Sequence, residues 1–302
     1  MRVSAATTLR VDAPPGLSAD AIGALASSCL RREVDTWPKP GLVSHVDNGS
    51  HTDMDAAMLR RSADVLQPFY VELALAGAEG APMGRLRAIG LAAEARMLSA
   101  TGGVNAHRGA IFGLGLLCAA AGVEDRGGET LGALVRLRYG RAIIEGPVPP
   151  LSHGARAGRL YGAGGARGEA AAGFPSVYEI GAPALAEGRR LAPQDAEAPR
   201  VQAIFALIAA VADTNLLHRG GAEGLAFARA RADDFLQRGG VGAPDWRQAG
   251  ACIHAEFVAR RLSPGGSADL LAMSLFVDQL ERPQANHVRV AELRPREIAA
   301  LI

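Results

Sequence analysis

Apolar residues recur along most of this chain at the three- and four-residue intervals that line up side chains on one face of a helix. Ser18 is a candidate cap for a helix running to about Asp35, with Ile22, Leu25, Cys29 and Leu30 on one face. Asp55 is a candidate cap for a second, reaching about Ala76, where Met58, Val65, Phe69 and Leu73 keep helical spacing and Pro68 is placed to kink it. The same period returns at about 85–99, 110–121, 129–143, 176–191, 195–212, 222–238, 244–262 and 267–281. The segment 110–121 is apolar all round, which implies burial. Alternation of the kind a strand needs is confined to His287-Val288-Arg289-Val290, and no repeat of fixed length suggests a solenoid. The pattern predicts an all-α protein. An irregular segment over 1–17 precedes a single globular domain over 18–302, built from about ten helices, with a central polar cleft formed by glycine-rich loops at helix ends.

The longest interruption of the pattern is Pro38-Lys39-Pro40-Gly41-Leu42-Val43-Ser44-His45-Val46-Asp47-Asn48-Gly49-Ser50-His51-Thr52-Asp53-Met54-Asp55. Two prolines remove backbone donors and restrict the residues before them, while Gly41 and Asn48-Gly49 supply turn chemistry. A link of this length inside a compact domain is usually functional or disordered. Its closely spaced His and Asp side chains point to metal or phosphate chemistry rather than disorder. Lys39 is the chain's only lysine; the other 31 of the 32 basic residues are arginine. A compact ammonium where every other basic position is a planar guanidinium suggests a tight site that an arginine fork would not fit.

Composition narrows the function classes. Apolar content is 49% with only 5% aromatic, an Ala- and Leu-rich balance that favours helix over strand. A net charge of +1 gives no electrostatic case for nucleic acid or an anionic membrane. Cys29, Cys118 and Cys252 are far apart and odd in number, so neither a metal site nor a disulfide framework is suggested. The N-terminus lacks the basic, apolar and cleavage regions of a signal peptide, and the apolar runs near 110–121 and 203–212 fall short of the ~20 residues of a membrane span. A cytoplasmic protein with no membrane association is expected.

Other polar segments repeat the chemistry of the opening loop. Gly102-Gly103 and Gly220-Gly221 each lie close to an arginine, Arg108 and Arg219, and resemble turns that let backbone amides approach phosphate; they are equally suited to end helices. Asp53 and Asp55 form a carboxylate pair of the kind that holds Mg²⁺, although Asp55 is also a natural helix cap. Three of the four asparagines (Asn48, Asn105, Asn215) and four of the seven histidines lie in these loops. Neither GxxxxGK[ST] nor a GxGxxG after a strand occurs, so the common nucleotide-binding loops are absent.

Glu33 with Pro38-Lys39-Pro40-Gly41-Leu42-Val43, Gly49-Ser50-His51-Thr52-Asp53-Met54-Asp55, and Gly102-Gly103-Val104-Asn105-Ala106-His107-Arg108-Gly109 form one half of a larger constellation. The other half is Gly165-Ala166-Arg167-Gly168-Glu169-Ala170 with Gly173-Phe174-Pro175, Asp213-Thr214-Asn215 with Arg219-Gly220-Gly221, and Ser263-Pro264-Gly265-Gly266-Ser267-Ala268-Asp269. In this order and over about 33–272 the chain resembles the triphosphoribosyl-dephospho-CoA synthases, which make the prosthetic-group precursor of citrate lyase and malonate decarboxylase. The form of residues 48–55 looks more like the malonate decarboxylase branch. Ala106 departs from the family, which usually carries threonine there.

The resemblance implies transfer from ATP to 3′-dephospho-CoA: a ribose 2′-hydroxyl attacks C1 of the ATP ribose, adenine departs and the triphosphate is kept. It implies Lys39, Arg108, Arg167, Arg219, Gly220, Gly221 and Ser267 for phosphate and substrate binding, and Asp53 and Asp55 for Mg²⁺. His51, Asn105, His107 and Asn215 would orient ribose or adenine. Glu33, Glu169, Asp213 and Asp269 become candidates for the base, the oxocarbenium stabiliser or a second metal site. The product would pass to a transferase that loads an acyl-carrier subunit. Two other readings compete: a Mg²⁺-dependent all-α hydrolase of a nucleotide or ADP-ribose, and a helical binding or scaffold protein whose polar loops would have no reason to meet.

Overall fold

The computed structural model describes residues 17–147 and 164–282. Eleven α-helices and no strand occur among them: α1 Ala19–Val34, α2 Ala56–Ala78, α3 Met83–Ala100, α4 Arg108–Ala121, α5 Leu131–Glu145, α6 Gly165–Ala171, α7 Ala182–Leu191, α8 Ala198–Ala210, α9 Thr214–Gln237, α10 Trp246–Ala259 and α11 Gly265–Glu281. A turn of π-helix, Val177–Gly181, leads into α7, and a 3-10 turn, Gly240–Gly242, precedes α10. The all-α expectation holds. The segments 1–17 and 287–290 lie almost wholly outside the described residues.

Side-chain chemistry sets the helix starts. The Ser18 hydroxyl accepts from Ala21 N–H, Asp55 Oδ1 from Met58 N–H at 2.7 Å, and Thr130 Oγ1 from Ala133 N–H. α2 continues through Pro68. Two assignments differ from the sequence reading. The stretch 165–171, rich in glycine, is helical because its ends are held by neighbours rather than by propensity. The stretch 213–221 is the first two turns of α9, broken at Gly221, whose φ of 62° and ψ of −160° bend the helix.

α4 is the hub of the first half, packed by α1, α2, α3, α5, α6 and α11. Leu114, Leu117 and Cys118 have no solvent exposure. Burying each leucine contributes roughly 1.5–3 kcal/mol. In the second half α8 plays the same part against α7, α9 and α11. α11 packs on both α4 and α8, so both halves share one core. The loops at the starts of α2, α4, α9 and α11 are thereby brought to the same region. Cys29 and Cys118 are buried, Cys252 is exposed, and none is bridged. No single helix among the described residues is long and apolar enough to cross a membrane.

Candidate active site

Residues 262–269 tie the polar segments together. Gly41 has a φ of 68°, and a Cβ there would overlap the Leu262 carbonyl, so only glycine lets the opening loop lie this close. Ser50 Oγ donates to Leu262 O at 2.6 Å, and His51 Nε2 stands 2.8 Å from Ser263 Oγ. Ser267 donates to Asp213 Oδ2 through its amide at 2.7 Å and its hydroxyl at 3.0 Å. Gly265 lies against the Asn215 side chain, and Gly165 at the head of α6 lies beside Thr214. Asp269 rests on Gly109, where any Cβ would collide with its carboxylate, and it accepts the amide of Ala110 at the start of α4. Segments more than 200 residues apart therefore meet, a convergence that a scaffold with unrelated loops has no reason to show.

The floor of this region is buried. Lys39, fully enclosed, reaches Glu33 at the end of α1 with an Nζ–Oε1 distance of 2.5 Å. Burial pushes the Lys39 pKa down and the Glu33 pKa up, and their mutual attraction opposes both shifts. The sequence reading puts this ammonium on a triphosphate; the structure turns it inward onto a carboxylate. His107, also buried, is held through Nδ1 by Ser62 Oγ at 2.7 Å, and its Nε2 has no hydrogen-bond partner among the described residues. Burial, with the Lys39 charge nearby, lowers its pKa to about 4.

Asp213 caps α9, taking the amides of Asn215 and Leu216 on Oδ1 and Ser267 on Oδ2. Its pKa is still raised by burial. Asp269 is raised well above the carboxylate range, first by burial and then by the charges of Glu33 and Asp213. Protein surrounds it on nearly every side, yet it stays partly accessible to solvent.

The rim is exposed and differently wired. Arg219 donates to Ser50 O and Arg261 O and approaches the His51 ring at 3.3 Å, while Asp53 Oδ1 lies 3.5 Å from His51 Nδ1. Burial and then the Arg219 charge lower the His51 pKa. Arg108 pairs with Glu94, and its amide is capped by the exposed Asn105. Gly102 and Gly103 end α3 with positive φ, Gly103 N–H bonding Leu98 O at 2.8 Å.

Several expected site residues have structural employment. Asp55 is the cap of α2. Arg167 donates to the carbonyls of Ile143, Ile144, Gly146 and Pro147, closing the end of α5. Glu169 accepts the amide and hydroxyl of Ser176, at 2.7 and 3.0 Å, and so holds the start of the π turn. Gly220 and Gly221 lie inside α9: the first makes room for the Leu262 side chain, the second bends the helix.

His254 escapes the sequence reading. It sits on the buried face of α10, with Nδ1 2.9 Å from Lys39 O and 3.2 Å from Gly41 N, and Nε2 3.1 Å from Asp47 Oδ1 but off the hydrogen-bond direction. Trp37 packs on its ring edge-on at 4.6 Å. A lone histidine inside a helix gives no spacing signal, and Ser62 is equally silent. A cavity of about 210 Å³ near Arg231, Trp246 and Cys252 is lined by none of the expected site residues.

An all-helical body thus gathers carboxylates, cations and glycine-dependent turns at its helix ends. The sequence profile of the family described as CitG, ATP:dephospho-CoA triphosphoribosyl transferase, matches residues 19–288. The chain belongs to this family. A Pectobacterium atrosepticum protein named 2-(5''-triphosphoribosyl)-3'-dephosphocoenzyme-A synthase is 42% identical over 259 residues, covering 81% of this chain and 84% of its own. Proteins of Stutzerimonas stutzeri and Azotobacter vinelandii, given that name with the prefix "probable", are each 40% identical, covering 87% and 85% of this chain and 92% and 90% of their own. No solved structure matches the chain. The chain is thus a transferase of the triphosphoribosyl-dephospho-CoA synthase type.

Proposed function

We propose that the enzyme joins ATP and 3′-dephospho-CoA through the ribose 2′-hydroxyl with loss of adenine, giving 2′-(5″-triphosphoribosyl)-3′-dephospho-CoA. The observation that carries this reading is the meeting of the family-like segments around Asp269, Asp213 and the Lys39–Glu33 pair. Glycosyl transfer with oxocarbenium character calls for carboxylates at the reacting carbon, whereas a triphosphate that is held and not cleaved calls for cations at a distance from it. The floor supplies the first and the Arg219–His51 rim the second. Arg108 would exchange Glu94 for phosphate, and Asn105, Asn215 and Ser267 would orient the ribose. Lys39 acts from beneath, fixing Glu33 and the field at the reacting centre.

Mg²⁺ suits the donor set. Asp53 presents an exposed carboxylate, and Asp55 has one oxygen on its helix cap and a second left for a cation. Among the described residues no cluster of three or more His, Cys, Asp or Glu is arranged to hold a metal alone. That agrees with an ion which takes one or two carboxylates and completes its shell with waters and substrate phosphates. When bound, it would neutralise the triphosphate.

The product would serve malonate decarboxylase, following the form of residues 48–55, and would be consumed by a separate transferase acting on an acyl-carrier subunit. Incubation with ATP, Mg²⁺ and dephospho-CoA should release adenine in step with a triphosphate-bearing CoA product. Release of phosphate without adenine would replace this reading with the hydrolase one.

A further inference from the structure

The charges of Glu33 and Asp213 both act on Asp269, which protein largely surrounds, and the ammonium of Lys39 is in direct contact with Glu33. Ionising all three would leave like charges facing each other across protein, and such sets keep a proton. Which group keeps it follows from its partners. Glu33 has Lys39. Asp213 gathers two amides on one oxygen and an amide and a hydroxyl on the other, which favours its charged form. Asp269 has the single amide of Ala110. As a residue it is also the least buried of the three.

We propose that Asp269 is the catalytic acid of this site, carrying a proton at rest and giving it to the purine as the base leaves the ribose. The inference rests on the reading that adenine departs from ATP. As the bond from C1 to the purine nitrogen breaks, its electron pair goes to the base, and a ring nitrogen takes the Asp269 proton. The acceptor oxygen bonds to C1 and loses its hydroxyl proton to solvent, from which the Asp269 carboxylate regains one, so the cycle closes without another reactant. The groups that face Asp269 act in the same direction: Glu33 from α1 and Asp213 from the head of α9 raise its pKa, as does its burial. Tyr70 from α2 is a neutral neighbour, and only the Ala110 amide of α4 opposes.

A substrate that needs no acid separates this role from a structural one. N7-methylated ATP carries a cationic base that leaves as a neutral molecule unaided. Asp269→Asn should lower kcat with ATP roughly 100- to 10,000-fold while KM changes little, and lose far less with the methylated substrate. Equal losses on both substrates would overturn the assignment. The unaltered enzyme gives an independent arm: kcat/KM for ATP should fall on the alkaline side as Asp269 loses its proton, and the methylated substrate should not show that fall. Identical profiles would overturn the proposal even if the variant does not fold. A wild-type enzyme that frees no purine from either substrate refutes the adenine reading itself, an outcome distinct from both.

Discussion

The floor and the rim of the site hold similar residue types in opposite physical states. On the floor, Lys39–Glu33 is a dry ion pair, with side chains 1% and 7% exposed. On the rim, Arg219, His51 and Asp53 form a loose cluster in which Asp53 is 60% exposed. A buried pair is costly to break because the abandoned charge has no water, while a surface pair is worth little. The same kinds of charge therefore shape the enzyme in one place and, on the proposed reading, would meet ligand in the other.

Breaking the floor should give the largest effect. Lys39→Ala strands Glu33 and is expected to cost about 3–5 kcal/mol of stability in chemical denaturation. Adding Glu33→Gln should recover much of it. A single variant as stable as the parent would mean that the pair carries no such weight. Lys39→Arg also faces a packed space, so the sequence-based expectation of a tight site now concerns folding as well as turnover.

Next comes pH. His107 has a folded pKa of about 4 against 6.5 for the free side chain, so between these values the unfolded chain binds more protons. Stability should then decline as pH falls, by about 3 kcal/mol in total from this residue. Melting curves of His107→Gln should lack this component; an unchanged slope would show that His107 is not its source.

Asp269 is smaller and opposite in sign. Its folded pKa is raised, so it stabilises the fold only while protonated and detracts as pH climbs through that pKa. Asp269→Asn should raise Tm by roughly 2–4 °C, the usual gain when a functional strain is relieved by about 1 kcal/mol. A lower Tm would mean that the carboxyl stabilises the fold after all.

The least effect on folding is expected at the rim. Arg219→Ala should change stability by about 0.5–1 kcal/mol while reducing kcat/KM for ATP roughly 10-fold or more. Full activity would remove Arg219 from phosphate binding.

Much of the fold is legible in the sequence because Ala- and Leu-rich periodicity and caps such as Ser18 and Asp55 agree with tertiary packing. α6 was not legible: its glycines argue against a helix, and what holds it are Arg167 on α5 and Glu169 on Ser176. At the site, the solitary Lys39 is fully buried against Glu33. Its partner could not be read, because burial depends on α10 and His254, far along the chain. Carboxylate roles were equally hidden, since Glu169, Asp213 and Asp269 differ in what donates to them, not in their identity or local motif.

The contacts that tie the opening loop down are long-range: Ser50 to Leu262 and His51 to Ser263 are both 212 residues apart. On the ribosome, where earlier parts of a chain fold first, the opening loop must wait for some 212 further residues before its backing strip emerges. Until residues 262–269 are released, Asp213 lacks Ser267 and Ala110 lacks Asp269. The nascent polypeptide thus carries the loop's polar groups without their order, which arrives in one step when that strip docks.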